Sequence, residues 1–539
     1  MPNPFNSFTP HSKKNVQQSF RTYHAKRLLG AALCALCLQV CLAFAIGRAA
    51  YADDLDQSQQ SKLEFNQASN ELDSEDFSAT LDSYLETNFP RTHEPGIAVA
   101  VVTDHGIAYM NTLGTCDDAS STFFIGSLSK SMCATAIMQL VQQGKIDLDA
   151  PAVEYAPEYL ISPDVSVRML LNQTSGFGFY ESLNQATVGD SFGEFSYANA
   201  NYDLLGRIVE HVSGEAYSDY LAKHVFAPLD MADSSAQGWR TNDVLGENDD
   251  SDTTSQNDET HYTDTREVLG HRNYFGLYVQ DDFQHRENDD AWGGPSSGYV
   301  SSSIRDMANY LQMYLAGGKN VLDYDSVMQM FMSRVPDPSG DAYYGMGWTS
   351  YYWDDELVLC HDGDVETNVA SMTILPERGI GVVVLGDGYD SVAGNSLFWD
   401  LSSGVVDIAC GLDTPDLDAE EYDRLHDETN TQWFVFWLIC AIPLLILPVW
   451  YAAAKAIRAS NSKTLAMCAI VLDAALFAWA ILKLLRVPKE MGIPWRDVST
   501  FDPSMTIGIA AGVALLTIAA IARIAIASLI AIRHNVQTH

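Results

Sequence analysis

The sequence is poor in basic residues. Its 539 positions hold 31 Lys and Arg against 70 Asp and Glu, a formal net charge of −39. Phosphate binding needs a basic face, so nucleic acid is excluded as a partner. The central region has four cysteines, Cys116, Cys133, Cys360 and Cys410, and they lack zinc-type spacing. No metal and no cofactor is implied. Cys133 sits in an apolar helical pattern and is expected in the core, while any disulfide pairing is left open. A lipoprotein signal is missing too, because neither Cys34, Cys37 nor Cys41 follows a small residue. Disorder is excluded by a hydrophobic content of 47%. With so many acids and a mean hydropathy near zero, the apolar residues must be concentrated, and they are concentrated at the two ends.

Residues 1–52 read as a signal peptide. Lys13, Lys14, Arg21, Lys26 and Arg27 precede an uncharged run, Leu28 to Ile46, and Ala50-Tyr51-Ala52 offers a small-residue cleavage site. The run is long, so an uncleaved anchor is the alternative. At the other end, three runs are long enough to cross a bilayer, giving transmembrane helices over 432–454, 464–486 and 505–532. The linker between the first two carries Lys455, Arg458 and Lys463 without an acid, which places it in the cytoplasm. The second linker mixes Lys489 and Arg496 with Glu490, Asp497 and Asp502, which suits the outside. The central domain is therefore expected to be extracytoplasmic. Asp473 and Arg523 lie inside spans, about nine and ten residues from the inner ends, and at about 1.5 Å per residue their depths match. Intramembrane charges seek partners, so a pair joining the second and third spans is expected; the alternative is a snorkelling Arg523 and a hydrated Asp473. Gly508 and Gly512 form a G-x-x-x-G that permits close helix packing.

Between the ends, 53–78 is a polar linker, 79–412 a folded domain and 413–431 a second linker. The domain opens with a strand, turn and strand over Gly96 to Leu113, and closes with strand-like runs at Gly345–Tyr352, Glu356–Cys360, Val369–Leu375 and Ile380–Leu385. Helical patterns fill the middle, including one from Ser129 that Gly144 stops. The fold class expected is α+β, with one antiparallel sheet assembled from both termini of the domain and a helical region inserted. Residues 241–267, with nine acids and one Arg, read as a solvated loop. Asp249, Asp250 and Asp252 raise calcium as an alternative, but no calcium-loop template fits.

The chemistry starts at Gly126-Ser127-Leu128-Ser129-Lys130. S-x-x-K on a helix stacks serine and lysine one turn apart, where a buried lysine can accept the hydroxyl proton. Alone this is weak, since Ser460 and Lys463 repeat it in the cytoplasmic linker. Further on come Tyr197-Ala198-Asn199, leading into a helix, and His361-Asp362-Gly363, ending a strand. Tyr109-Met110-Asn111 is also Y-x-N but precedes the serine on a strand, and is set aside. In this order the motifs resemble those of the serine β-lactamase and penicillin-binding-protein superfamily, specifically its class C β-lactamase and DD-peptidase branch. Stretches at Leu140–Leu148, Leu170–Gly176, Ser297–Ser301 and Leu375–Glu377 extend the resemblance across most of 79–412.

The resemblance implies roles. Ser127 is the acylated nucleophile. Lys130 and Tyr197 share general-base work, with Tyr197 protonating the leaving group. Asn199 binds the substrate amide, and His361 and Gly363 line the strand the substrate pairs with. The backbone N–H groups of Ser127 and Asp364 form the oxyanion hole. Departures bear on the substrate: His361 stands where β-lactamases have Lys, Gln173 where many relatives have His, and Asp362 and Asp364 are expected to add negative charge beside the site, favouring an amine or amide over a free carboxylate. The architecture is also similar to that of membrane-anchored prodrug-activating peptidases such as the colibactin-maturation peptidase, which remove an N-acyl-D-asparagine cap. The expected partners are a peptide or acyl-amino-acid substrate and the lipid bilayer, with the oligomeric state open. A sensor that acylates without turnover, an esterase or β-lactamase of the superfamily, and a catalytically dead relative are the competing readings.

Overall fold

In the computed structural model, Leu72 and residues 75–237, 270–281, 293–338, 340–459 and 463–537 are described. The signal peptide expected over 1–52, nearly all of the 53–78 linker and the acidic loop over 241–267 lie outside them. Helix α1 (Glu75–Thr92) begins inside the stretch read as linker and leads to β1 (Gly96–Thr103), β2 (Ile107–Gly114) and β3 (Thr122–Phe124). Next come α2 (Ser129–Gln142), α3 (Asn199–Ser213), the hairpin β4 (His271–Tyr274) and β5 (Leu277–Gln280), β6 (Ser301–Ser303) and α4 (Ile304–Leu315). The C-terminal strands are β7 (Val335–Pro336), β8 (Tyr343–Gly345), β9 (Trp348–Trp353), β10 (Glu356–Asp364), β11 (Val369–Leu375), β12 (Ile380–Gly386) and β13 (Gly388–Tyr389), followed by α5 (Ser396–Ala409).

Eight strands form one antiparallel sheet in the order β2-β1-β12-β11-β10-β9-β8-β7. The N-terminal strands thus pair with the last C-terminal one, as the sequence predicts. Alternation sorts the two faces. Ile97, Val99 and Val101 of β1 pack with α1 and α5, while Ala98, Ala100 and Val102 face the helical region. Small residues on that second face let α4 lie close: a Cβ on Gly381 of β12 would sit 3.4 Å from Leu311. Helix α2 is buried on nearly every side, as befits the central helix of a large core. It ends at Gln142, where Gly144 takes φ +67° and donates to the Val141 carbonyl at 2.9 Å. The discarded Tyr109 and Asn111 both bond Asp82 of α1, on the far side of the sheet from α2.

The C-terminal helices include α6 (Glu420–Leu445), α7 (Leu447–Ala459), α8 (Lys463–Leu485), α9 (Trp495–Phe501) and α10 (Pro503–Gln537). Three stretches, Glu420–Ile457, Met467–Leu485 and Pro503–Ile530, are long and apolar enough to cross a membrane. Most of the 413–431 linker is not a linker in shape. It is the polar start of α6, which runs unbroken into the first span. Gly508 and Gly512 of α10 do admit a neighbour closely: Trp433 fills the space over the first, and Phe436 and Cys440 the space over the second.

Candidate active site

Ser127 lies in a single 3₁₀ turn, Gly126–Leu128, that runs directly into α2. The turn is held by backbone and side-chain bonds. Ile125 N–H donates to Val300 O at 3.0 Å, and the Ser129 hydroxyl donates to Gly126 O at 2.7 Å. Ser127 is half-buried, whereas Lys130, one turn on, is fully buried. Lys130 Nζ reaches Ser127 Oγ at 3.0 Å and Asn199 Oδ1 at 2.7 Å, and also donates to the Ser297 carbonyl. It stands 4.8 Å from the centre of the Tyr197 ring and 5.8 Å from that of Tyr202. Burial pulls its pKa down to about 7, against an opposing pull from the Asp203 carboxylate.

Tyr197 lies two residues before the start of α3, and its hydroxyl donates to Ser127 Oγ at 2.8 Å. Burial, then the neighbouring Tyr344, raises its pKa well above the ordinary phenol value, so near neutrality it keeps its proton. The loop carrying it is pinned by Gln173, the residue that departs from many relatives. Gln173 Oε1 accepts from Ala198 N–H at 3.0 Å and from Asn201 Nδ2, while its own carbonyl accepts from Ser196 N–H at 2.8 Å. Asn199 opens α3 and gives its carbonyl oxygen to Lys130.

His361 and Gly363 occupy the face of β10 that meets the helical region, in line with Leu357 and Leu359. His361 Nδ1 is 2.7 Å from the Asp362 carbonyl. A carbonyl only accepts, so Nδ1 carries the hydrogen, and Nε2 meets the Tyr344 hydroxyl at 3.4 Å. Gly363 abuts the serine turn: a Cβ there would strike Ile125 O and lie 3.0 Å from Ser127 N. Opposite it, Gly126 takes φ +55°, and a Cβ on it would lie 2.6 Å from Asp364 N. Two glycines thus let strand and turn meet backbone to backbone, next to the nitrogens of Ser127 and Asp364. The ladder of β10 with β9 ends at Cys360↔Thr349, while β10 runs on to Asp364.

The carboxylates of Asp362 and Asp364 do not stand beside the site as expected. Alternation sends both to the opposite face of the sheet, where Asp362 Oδ1 accepts from Ser371 Oγ at 3.0 Å and Asp364 Oδ1 from Asn395 Nδ2 at 3.1 Å. The charge argument against a free carboxylate loses its main basis. Asp364, at the strand's end, still adds to the upward shift of Tyr197.

Two residues escaped the sequence reading. Asp203 lies one turn after Asn199 on α3 and is buried, with its pKa raised by that burial. It accepts from Gly294 N–H at 3.1 Å and Ser297 Oγ at 2.6 Å, so it holds the loop whose Ser297 carbonyl receives Lys130. Its i+4 spacing from Asn199 was the available signal. Tyr344 of β8 is buried between Phe195, Tyr197 and His361, with ring centres 5.3, 5.9 and 5.8 Å away. Nothing local marks it, because its neighbours arrive from two separate segments, the loop before α3 and strand β10.

A family model described as Beta-lactamase matches residues 77–395, more than half of the chain and a span that includes every motif above. The chain belongs to the beta-lactamase family. Among curated relatives, Protein flp of Staphylococcus aureus (strain MW2) is 23% identical over 341 residues, covering 57% of this chain and 62% of flp. This family member thus spans about three fifths of that relative's length. The Putative penicillin-binding protein PbpX of Bacillus subtilis (strain 168) is 30% identical over 145 residues, covering 24% of this chain and 37% of PbpX. Among solved structures, the D-amino acid amidase of Ochrobactrum anthropi SV3 superimposes with a TM-score of 0.50 at 19% identity, over 62% of this chain and 99% of the amidase. At that identity the likeness speaks for the fold alone.

Proposed function

We propose that this protein is a membrane-anchored serine hydrolase, with its catalytic domain outside the cytoplasm, that cleaves an amide through an acyl-enzyme on Ser127. The observation that carries this is Lys130, buried, 3.0 Å from Ser127 Oγ and with a pKa drawn down to about 7. A lysine in that state exchanges a proton at neutral pH, as a general base must.

In this reading Ser127 Oγ attacks the substrate carbonyl and its proton passes to neutral Lys130. Oxyanion charge develops between the N–H groups of Ser127 and Asp364. The C–N bond then breaks as Tyr197 gives its proton to the leaving nitrogen and is reprotonated from Lys130. Water attacks the ester, its proton returning through the same pair, and the acid leaves with Ser127 restored. The Nδ2 end of Asn199 meets the substrate carbonyl group, since its oxygen serves Lys130. An extended substrate lies along β10 beyond Cys360, where β9 has stopped. His361, with its Nδ1 hydrogen turned to a backbone carbonyl, puts no ammonium where β-lactamases have one, which favours a peptidase or amidase over a β-lactamase.

The substrate class we propose is a D-amino-acid-type amide, either a peptidoglycan peptide or an N-acyl-D-amino acid. The names of PbpX and of the D-amino acid amidase make these the first to try. Matched N-acyl-D- and N-acyl-L-amino acid amides, given to the full-length protein and to Ser127→Ala, test it by mass spectrometry of the released amine. D-selective turnover lost in Ser127→Ala is expected. Turnover of the L series alone contradicts the substrate class.

A further inference from the structure

The polar start of α6 does more than lead into the bilayer. His426 is buried there, about two turns or 10 Å above the first apolar residues of the span. Its Nε2 lies 2.8 Å from Asp390 Oδ2, a fully buried carboxylate in the loop between β13 and α5. Asp390 shapes that loop by accepting from Val392 N–H at 2.8 Å and Ala393 N–H at 3.3 Å. Its own N–H donates to Asn395 Oδ1 at 2.7 Å. That bond settles the orientation of the Asn395 amide, because the end facing an N–H must be the oxygen. Asn395 Nδ2 therefore turns to Asp364 and donates to its carboxylate at 3.1 Å. Asp364 is the last residue of β10, past the point where β9 supports the strand.

A second set of contacts ties the same loop to the bundle. Gly388 of β13 pairs with His271 of β4. The tip of that hairpin is gripped from both sides: Asn430 Nδ2 of α6 donates to Phe275 O at 2.9 Å, and Phe275 N–H donates to Ser504 Oγ of α10 at 2.9 Å. Arg272 Nη1 reaches Thr500 O of α9 at 3.3 Å. The loop that positions Asp364 is thus anchored in the membrane helices by two routes.

We infer that His426, Asp390 and Asn395 are positioning residues that let the outer end of the first membrane helix set the oxyanion donor at Asp364. An oxyanion donor must be held to within about 0.5 Å to act fully, and the end of β10, paired with β11 on one edge but without β9 on the other, needs such a tether. The inference rests on the proposed role of Ser127 and Asp364. It makes the helices part of the catalytic apparatus as well as an anchor.

Asn395→Gly in the full-length protein is the cleanest test. Asn395 has φ +54°, which glycine adopts without strain, so only the amide is lost. His426→Ala interrupts the relay further out, and His426→Gln restores a donor. Two readouts are compared: hydrogen exchange over 361–364, and the rate at which a fluorophosphonate labels Ser127. Faster exchange and roughly tenfold slower labelling are expected in Asn395→Gly and His426→Ala, with labelling recovered in His426→Gln and the double variant no slower than Asn395→Gly alone. Unchanged exchange overturns the tether. Faster exchange with unchanged labelling, or losses that multiply in the double variant, overturns the positioning role. A wild-type protein that takes no label, with exchange still faster in the variants, instead overturns the reading of the site and with it the catalytic half of this inference.

Discussion

Arg523 of α10 donates to Asp473 of α8 at 2.6 Å, so these two apolar helices are joined by an ion pair. Arg523 also lies 5.2 Å from the centre of the Phe477 ring and 5.5 Å from that of Trp450, and reaches toward Pro443 O. Nη1 and Nη2 of the guanidinium both find acceptors within the bundle, while residues such as Phe434, Val471, Leu472 and Ile521 turn outward.

Removing one partner leaves the other charge unpaired among apolar side chains, at a cost of about 3 kcal/mol. Asp473→Ala and Arg523→Ala are each expected to destabilise the bundle by about that amount, and the double variant by less than their sum. Thermal unfolding in detergent checks this. Loss in Arg523→Ala with none in Asp473→Ala contradicts the pair.

Gly363→Ala places a methyl against Ile125 O and Ser127 N. The strand end must retreat, and an oxyanion donor goes with it. A fall of about 10²–10³ in kcat is expected while circular dichroism stays that of the wild type. Full activity in this variant contradicts the backbone-to-backbone arrangement.

The pH profile reports Lys130. Only its neutral form accepts the serine proton, so labelling should rise about tenfold per pH unit below about 7 and level off above it. The Asp203 carboxylate favours the ammonium form. Asp203→Asn therefore moves the midpoint to lower pH, since removing a negative charge makes deprotonation easier. A midpoint that stays fixed or rises contradicts this account of Lys130. Lys130→Ala is expected to lose about 10²–10⁴ in labelling rate.

Much of this was legible in the sequence, for reasons of spacing. Ser127 and Lys130 share a helix face whatever surrounds them, and counting residues from the helix ends was enough to set Asp473 level with Arg523. What stayed hidden depends on three-dimensional neighbours. Alternation along β10 decides where Asp362 and Asp364 point, and it becomes decisive only once the strand is known to extend to Asp364. Tyr344 gathers partners from distant segments. The start of α6 reads as linker because its buried positions, Tyr422 and His426, are polar or amphipathic and set up no apolar period.

The central claim is that Ser127 is an activated nucleophile. The direct measurement is the intact mass of the purified full-length protein after exposure to a fluorophosphonate, with Ser127→Ala beside it. One adduct on the wild type and none on the variant is the predicted result. No adduct on either, or an equal adduct on both, would contradict the account.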